Sequence, residues 1–422
     1  ILDWNINLTT IFIGSLVMIY TVSGGTKAVS MTQKYQLTII MTGMIIAGLT
    51  AFNKLPNDIT FTEAFQLAGE MGKMNLINFS FDLSDRYNIW SGLIGGLFLF
   101  LSYFGADQSQ VGRYLGGKSV TESRLGLLFN GLLKVPMQFV ILYIGILVFV
   151  FYQFNQAPVF HNQSLKDKAM QTEYAGAITA LEGEYDKVFI DKKIEAENLI
   201  GAIRQENPAL IEQSRVSIEK IQQSEKQIRT QVKEQISAAI PGANTLDKDY
   251  VFITFVMAYL PHGLIGLLLA VVFSAAMSST ASELNALAST TTVDIYKRSI
   301  KPSEDDYHYV TASKWFTAGW AVFGMMFASI ANQAENLIQF VNIVGSIFYG
   351  TILGIFLSAF YLKYIKSNAI FFAAIVAEGV IVYCYFFTKI AFLLYNIIGC
   401  LIVVVLGFIF QYFENQKKQV GD

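Results

Sequence analysis

The sequence predicts an all-α membrane protein, and three observations carry that prediction. Of 422 residues, 53% are hydrophobic and only 15% are charged, against about 25% charged in ordinary soluble domains. About nine stretches reach the roughly 18 apolar residues that read as a transmembrane helix. Lysine and arginine gather on alternate connections between those stretches, as they do in a chain that threads a bilayer repeatedly.

Taken in order, the stretches lie near residues 7–26, 36–53, 89–110, 126–153, 263–284, 314–333, 337–362, 369–388 and 390–412. Residues 250–260 are apolar as well, but Pro261 and Gly263 interrupt before the next span, which predicts a separate interfacial helix. The expected organisation is four spans in 1–156, an insertion in 157–249, then the interfacial helix and five spans in 250–422. One set of connections holds Lys27, Lys34, Arg113, Lys118, Arg124, Lys297, Arg298, Lys301, Lys363, Lys366, Lys417 and Lys418. The other holds Lys54, Lys73, Arg86 and Lys389 outside the insertion. The richer side is expected to be cytoplasmic, placing the N-terminus outside and the C-terminus inside a plasma (inner) membrane. Trp4, Trp90 and Trp315 fall near span ends, where interfacial aromatics collect. A net charge of −2 gives no reason to expect a nucleic-acid partner, and the expected surroundings are lipid. Cys384 and Cys400 lie inside spans, where a thiol packs as a small hydrophobe. The chain opens at Ile1 almost directly into a span, without a cleavable signal pattern, and is expected to be N-terminally incomplete.

The insertion changes composition to Glu, Lys, Gln and Ala. Tyr174, Ile178, Leu181, Tyr185 and Val188 step by 4, 3, 4 and 3, a heptad seam. Ile211, Ile218, Ile221, Ile228, Val232 and Ile236 follow a similar rhythm after Asn207–Pro208, which suits a turn between antiparallel helices. The reading is an extracytoplasmic, coiled-coil-like helical hairpin with room for a protein partner; the alternative is a partly disordered charged loop.

One span raises a chemical question. GLIGLLLAVVF runs directly into SAAMSSTASELNALASTTTVDIYK, an apolar helix that becomes dense in hydroxyls. Polar groups in a span cost free energy unless they find partners. Ser and Thr can bond the carbonyl four residues back or permit close helix packing, which explains Ser282 and Ser289. The adjacent Ser278 and Ser279 beside Ala275 could instead aim two hydroxyls and a carbonyl at one small hard cation. Spacing alone leaves packing and ion binding both open. Catalysis is disfavoured: His161, His262 and His308 are scattered over loops, with no nucleophile–base pair or metal spacing.

Three motifs carry a family resemblance. PHGLIGLLLAVVFSAAMSSTASELNALASTTTVDIYK resembles the signature helix of the sodium/solute symporter family. YTVSGGTKAVSMTQKYQ at 20–36 is similar to its Gly-Gly segment, and GADQSQVGRYLGGKSVTESRLGLLFNGLLK at 105–134 to its Asp-Gln…Gln-Arg segment. With the helices between them, the motifs cover nearly all of the chain except the insertion. The resemblance implies the LeuT-type inverted-repeat transporter fold, with its first helices absent from this chain and substrate and ion near the membrane midplane.

The resemblance also implies residue roles. Sodium ligands match the Ala275 carbonyl and the Ser278 and Ser279 hydroxyls, with Na+ as the coupling ion. Some members place a second sodium against an aspartate where this chain has Gln33, so one ion is expected here. Tyr103 matches an aromatic that closes the substrate pocket, and Lys134 a lysine that touches substrate in sugar-transporting relatives. Gln339, Asn342 and Ser346 form a polar stripe on a helix that faces the family's pocket, and could equally be interhelical glue. Asp107 and Gln108 are either pocket residues or, through Arg113, a structural pair. The implied function is sodium-coupled import of a small polar organic solute such as a sugar or carboxylate, without organic cofactor. The alternatives are a non-transporting sensor of the same fold and a proton-coupled transporter.

Overall fold

A computed structural model describes residues 6–24, 26–74, 78–85, 88–117, 119–331 and 337–421. Trp4, Arg86 and Lys118, and the side chains of Lys27, Lys417 and Lys418, lie outside the described residues. The architecture among them is helical, with one isolated bridge between Asn78 and Asn88. In chain order the helices are α1 (Ile6–Gly24), α2 (Thr26–Asn53), α3 (Phe61–Glu70), α4 (Gly96–Gly105), α5 (Gln108–Leu115), α6 (Val120–Phe154), α7 (Gln163–Ala169), α8 (Ala175–Arg204), α9 (Pro208–Ala239), α10 (Val251–Tyr259), α11 (His262–Thr290), α12 (Asp306–Ala331), α13 (Leu337–Tyr361), α14 (Ser367–Phe387) and α15 (Tyr395–Gly421).

A helix lies at each stretch where the sequence predicts a span, but among the described residues six are long and apolar enough to cross a membrane by length and composition. The apolar runs Asn7–Ser23 and Ser91–Gly105 are shorter, and α12 is diluted by Lys314, Thr317 and two tryptophans. The short run at 91–105 has a physical cause. Asp107 takes an extended backbone and caps a new helix, so the polypeptide breaks between α4 and α5. A similar break separates α10 from α11: Leu260 is extended (ψ 155°), the conformation that a following proline imposes.

The chain forms two compact units, one of residues 1–76, 128–282 and 321–329, the other of 77–127, 283–320 and 330–422. In the first, α2, α6, α8 and α10 share a core through Ala47, Ala51, Leu147, Phe151, Leu199 and Phe255. The α8–α9 hairpin has its own core, where Ile178 and Tyr185 pack on Ile228, Val232 and Ile236. Its turn is sharp because Glu206 adopts a positive φ of 48°. Asn207 then accepts from the amides of Ala209 and Leu210, with Pro208 opening α9. Arg204, at the end of α8, donates to Glu63 at 2.6 Å and Asp58 at 3.0 Å. Glu63 also closes the capping box that starts α3 at Thr60.

In the second unit, α13, α14 and α15 pack through small residues, the usual way for helices to approach where lipid supplies no hydrophobic drive. A Cβ at Gly350 would stand 2.7 Å from Cα of Asn396, and one at Gly399 would stand 2.9 Å from the Thr351 amide nitrogen. Both obstacles are backbone. Gly350→Val is therefore expected to part α13 from α15 and destabilise the protein by about 1–3 kcal/mol or more. Thermal unfolding of the detergent-solubilised protein checks this; an unchanged midpoint would contradict the packing.

Candidate functional site

The hydroxyl-rich part of α11 meets α2 in the first unit. Gln36 is buried, and its Nε2 donates to the Ser274 hydroxyl at 2.7 Å. That bond leaves Oε1 toward Ser278, whose hydroxyl lies 3.3 Å from it and 3.0 Å from the Ala275 carbonyl oxygen. Three neutral oxygens, from Ala275, Ser278 and Gln36, thus converge on a buried position. From α1, the Tyr20 hydroxyl donates to the Met277 carbonyl, fixing the same turn of α11. Close approach of α2 depends on Gly43, where any Cβ would run into the Leu268 side chain.

The two adjacent serines do not behave alike. Ser278 is buried, whereas Ser279, a further 100° around the helix, is exposed and outside the oxygen cluster. Gln33 is half-buried. One turn further along α2, Gln36 makes the contact with α11, and it is the residue that reading from the sequence misses. A signal was present: Gln36 closes the same motif on the same helix face as Gln33. Neutral oxygens crowded at about 3 Å suit a hard cation that has shed water yet must be released, since neutral donors bind it weakly.

The second unit holds a different group. Asp107 accepts from the Ser109 amide at 2.9 Å through Oδ1 and from the Tyr349 hydroxyl at 2.9 Å through Oδ2. It therefore caps α5 and ties the break between α4 and α5 to α13. Sequence reasoning offers Arg113 as its partner and misses Tyr349, which no local pattern marks. Tyr103 is half-buried one turn before Asp107, edge-on to Phe104 with ring centroids 5.1 Å apart. Gln108 is exposed. Gln339 and Asn342 are half-buried on α13. Ser346 continues their stripe but is fully buried, accepting from Asn396 Nδ2 at 3.0 Å; that end of the stripe joins α13 to α15. Lys134, in the first unit, is exposed on α6 two residues before Pro136.

Comparisons with known proteins identify the family and the fold. A family profile described as the sodium:solute symporter family matches residues 1–179 and 230–377. The human sodium/iodide cotransporter is 31% identical over 143 residues, covering 33% of this chain and 21% of that protein. The sodium/sialic acid symporter NanT of Aliivibrio fischeri is 26% identical over 157 residues, 37% of this chain and 31% of that protein. The human sodium-coupled monocarboxylate transporter 1 is 32% identical over 117 residues, 28% of this chain and 19% of that protein. The matches thus span between a fifth and a third of those relatives' lengths. A solved substrate-bound, outward-open structure of a Na+-coupled sialic acid symporter superposes with a TM-score of 0.67 at 20% identity, covering 98% of this chain and 68% of that one. That likeness shows the fold, the inverted-repeat transporter architecture.

Proposed function

Because this chain belongs to the sodium:solute symporter family and is an integral, multi-pass membrane protein, we propose that it acts as a sodium-coupled secondary active symporter. The observation that carries the proposal is the meeting of the Ala275 carbonyl and Ser278 hydroxyl of α11 with the Gln36 amide oxygen of α2, between two membrane-spanning helices. Na+ is cargo in this reading. To receive it, the Ser278 hydroxyl turns its proton away from the Ala275 carbonyl, so that both oxygens offer lone pairs to the ion. Ser279 would join them from the next position of the same helix.

Sodium moving down its gradient supplies about 2.3 kcal/mol per charge per 100 mV. That energy is useful only as far as the ion prefers one conformational state over the other. The solute proposed is small, polar and organic, a sugar, carboxylate or similar molecule. Its contacts are assigned to Tyr103, Lys134, Gln339 and Asn342, with Ser346, Asp107 and Gln108 at the margin. The break at Asp107 supports Tyr103 as a gate, because a side chain beside a helix interruption can reorient without straining a continuous hydrogen-bond ladder. The same proposal places the protein in the plasma (inner) membrane with the α8–α9 hairpin on the outer side.

The test is uptake of a labelled solute panel into vesicles that contain the full-length protein. Accumulation driven by an inward sodium gradient is the expected result. Uptake indifferent to sodium but driven by a proton gradient would overturn the ion assignment.

A further inference from the structure

The span of α14 runs over Ser367–Phe387, and its sequence holds a single charged residue, Glu378. At 1.5 Å per residue, that carboxyl lies about 13 Å from one end of the span and about 16 Å from the other. A glutamate side chain is too short to reach water from there. An ionisable group at such depth is costly and is a functional site by default. Glu378 is the first residue beyond the stretch that the family profile matches, and it belongs to neither group described above.

Among the described residues nothing nearby neutralises it. α14 packs on α13 and α15. The sequence of α13 has no charged residue, and the charges of α15, Glu414, Lys417 and Lys418, lie toward its C-terminal end. Lys366 and Lys389 flank the span, each roughly 16 Å or more away along the axis. Tyr349, Cys384, Tyr395 and Cys400 bring phenols and thiols, uncharged at pH 7. The side chain that does reach the carboxyl is Thr351 of α13. Thr351 is buried against Gly399 of α15, where a Cβ would stand 3.2 Å from its hydroxyl. Neither Thr351 Oγ1 nor Glu378 Oε1 completes a hydrogen bond among the described residues, and both atoms are buried. An ionised carboxylate here would be an uncompensated charge. Two side-chain oxygens fall short of the roughly six that a hard cation takes. A proton needs no such shell: it removes the charge and turns one of the two facing oxygens into a donor. The other flank of Glu378 is open, since Ile375 and Val382 are exposed and a Cβ at Gly379 would meet nothing within 4 Å.

We propose that Glu378 is a proton-binding site inside the membrane: at neutral pH it carries a proton shared with Thr351, and in that form it is the carboxyl that a lipid-soluble carbodiimide modifies. The reaction is an addition. The acid O–H adds across one C=N bond, the carboxyl oxygen bonding the central carbon and the proton passing to nitrogen. The acyl group then shifts from oxygen to nitrogen, so the stable N-acylurea keeps every atom of the reagent and nothing leaves. The site stands independently of the transport reading.

The experiment treats the full-length protein in lipid vesicles at pH 7 with N,N′-dicyclohexylcarbodiimide or a water-soluble carbodiimide, and maps the products by mass spectrometry. An adduct of full reagent mass is expected on Glu378 with the lipid-soluble reagent alone, although an ordinary glutamate, near about 4.3, is ionised at that pH. Infrared spectra of the same samples should show a carboxylic-acid C=O band that Glu378→Gln, which keeps the shape of the neutral acid, removes. No adduct on Glu378, modification by the water-soluble reagent, or a carboxylic-acid band unchanged in Glu378→Gln would each overturn the proposal. So would labelling that disappears when sodium replaces choline at fixed pH, which would give the carboxyl to a metal ion. None of these readings requires sodium-driven uptake, so failure here and failure of the symport proposal are told apart.

Discussion

Ser278→Ala is expected to lower the apparent Na+ affinity of solute uptake by roughly ten- to a hundredfold. The hydroxyl is one of three oxygens that meet at the junction of α2 and α11. A contact to a charged group is worth about 1.5–3 kcal/mol, and every 1.4 kcal/mol is about tenfold in affinity. Alanine also removes the hydroxyl that donates to Gln36 Oε1, so a buried amide oxygen loses that donor. Two further variants separate ion binding from packing. Ser278→Thr keeps the oxygen and should retain most sodium dependence. Ser274→Ala only releases the anchor of Gln36 Nε2 and should shift the sodium curve less. Ser279→Ala examines the remaining member of the proposed set. A shift as large as that of Ser278→Ala would put its oxygen on the ion despite its exposed position here. The measurement is sodium activation of uptake at saturating solute; an unchanged half-saturation for Ser278→Ala would sink the assignment.

The sequence made some of this legible and hid the rest, for reasons specific to each residue. Membrane helices announce themselves because lipid demands long apolar runs, and three motifs in order pointed to the family. Hydropathy could not show that the run at 89–110 is shorter than a span, because the break depends on Asp107 capping a new helix. Gln33 and Gln36 differ by one turn of α2. Which of them touches α11 depends on how α2 is rotated against α11, and the bonds of Gln36 to Ser274 and Ser278 report that rotation. Ser346 fits the polar stripe equally well as pocket or as glue; its bond from Asn396, 50 residues away, joins α13 to α15, and no periodicity on α13 could reveal it. Tyr349 was invisible for the same reason, since its partner Asp107 lies 242 residues earlier.

Arg229→Met should destabilise the α8–α9 hairpin by about 3–5 kcal/mol, the usual cost of removing one member of a buried charged network. The guanidinium donates to the Pro158 carbonyl at 3.0 Å, the Val159 carbonyl at 3.1 Å and the Tyr185 hydroxyl at 2.8 Å. It also lies 3.3 Å from Glu225. It therefore pins the hairpin to the strap at its foot, and methionine replaces only the volume. The pH dependence gives a second readout. Burial pushes the Glu225 carboxyl up, but Lys192 at 2.9 Å and Arg229 outweigh it and hold the group below its ordinary 4.5. Asp247 behaves likewise: burial raises it, and the His161 amide and Lys233 at 2.6 Å bring it below 3.8. A carboxylate whose folded pKa is depressed stabilises fully above its unfolded value, and that stability is lost as pH falls through the folded value. The native hairpin should thus keep its protection against hydrogen exchange down to about pH 4 and lose it below. In Arg229→Met, Glu225 keeps Lys192 but loses a cation, so its pKa rises and protection should begin to fail at a higher pH. Hydrogen exchange of α8 and α9 between about pH 6 and pH 3 measures both effects. Superimposable profiles for the two proteins would mean that Arg229 does not hold the hairpin to its foot.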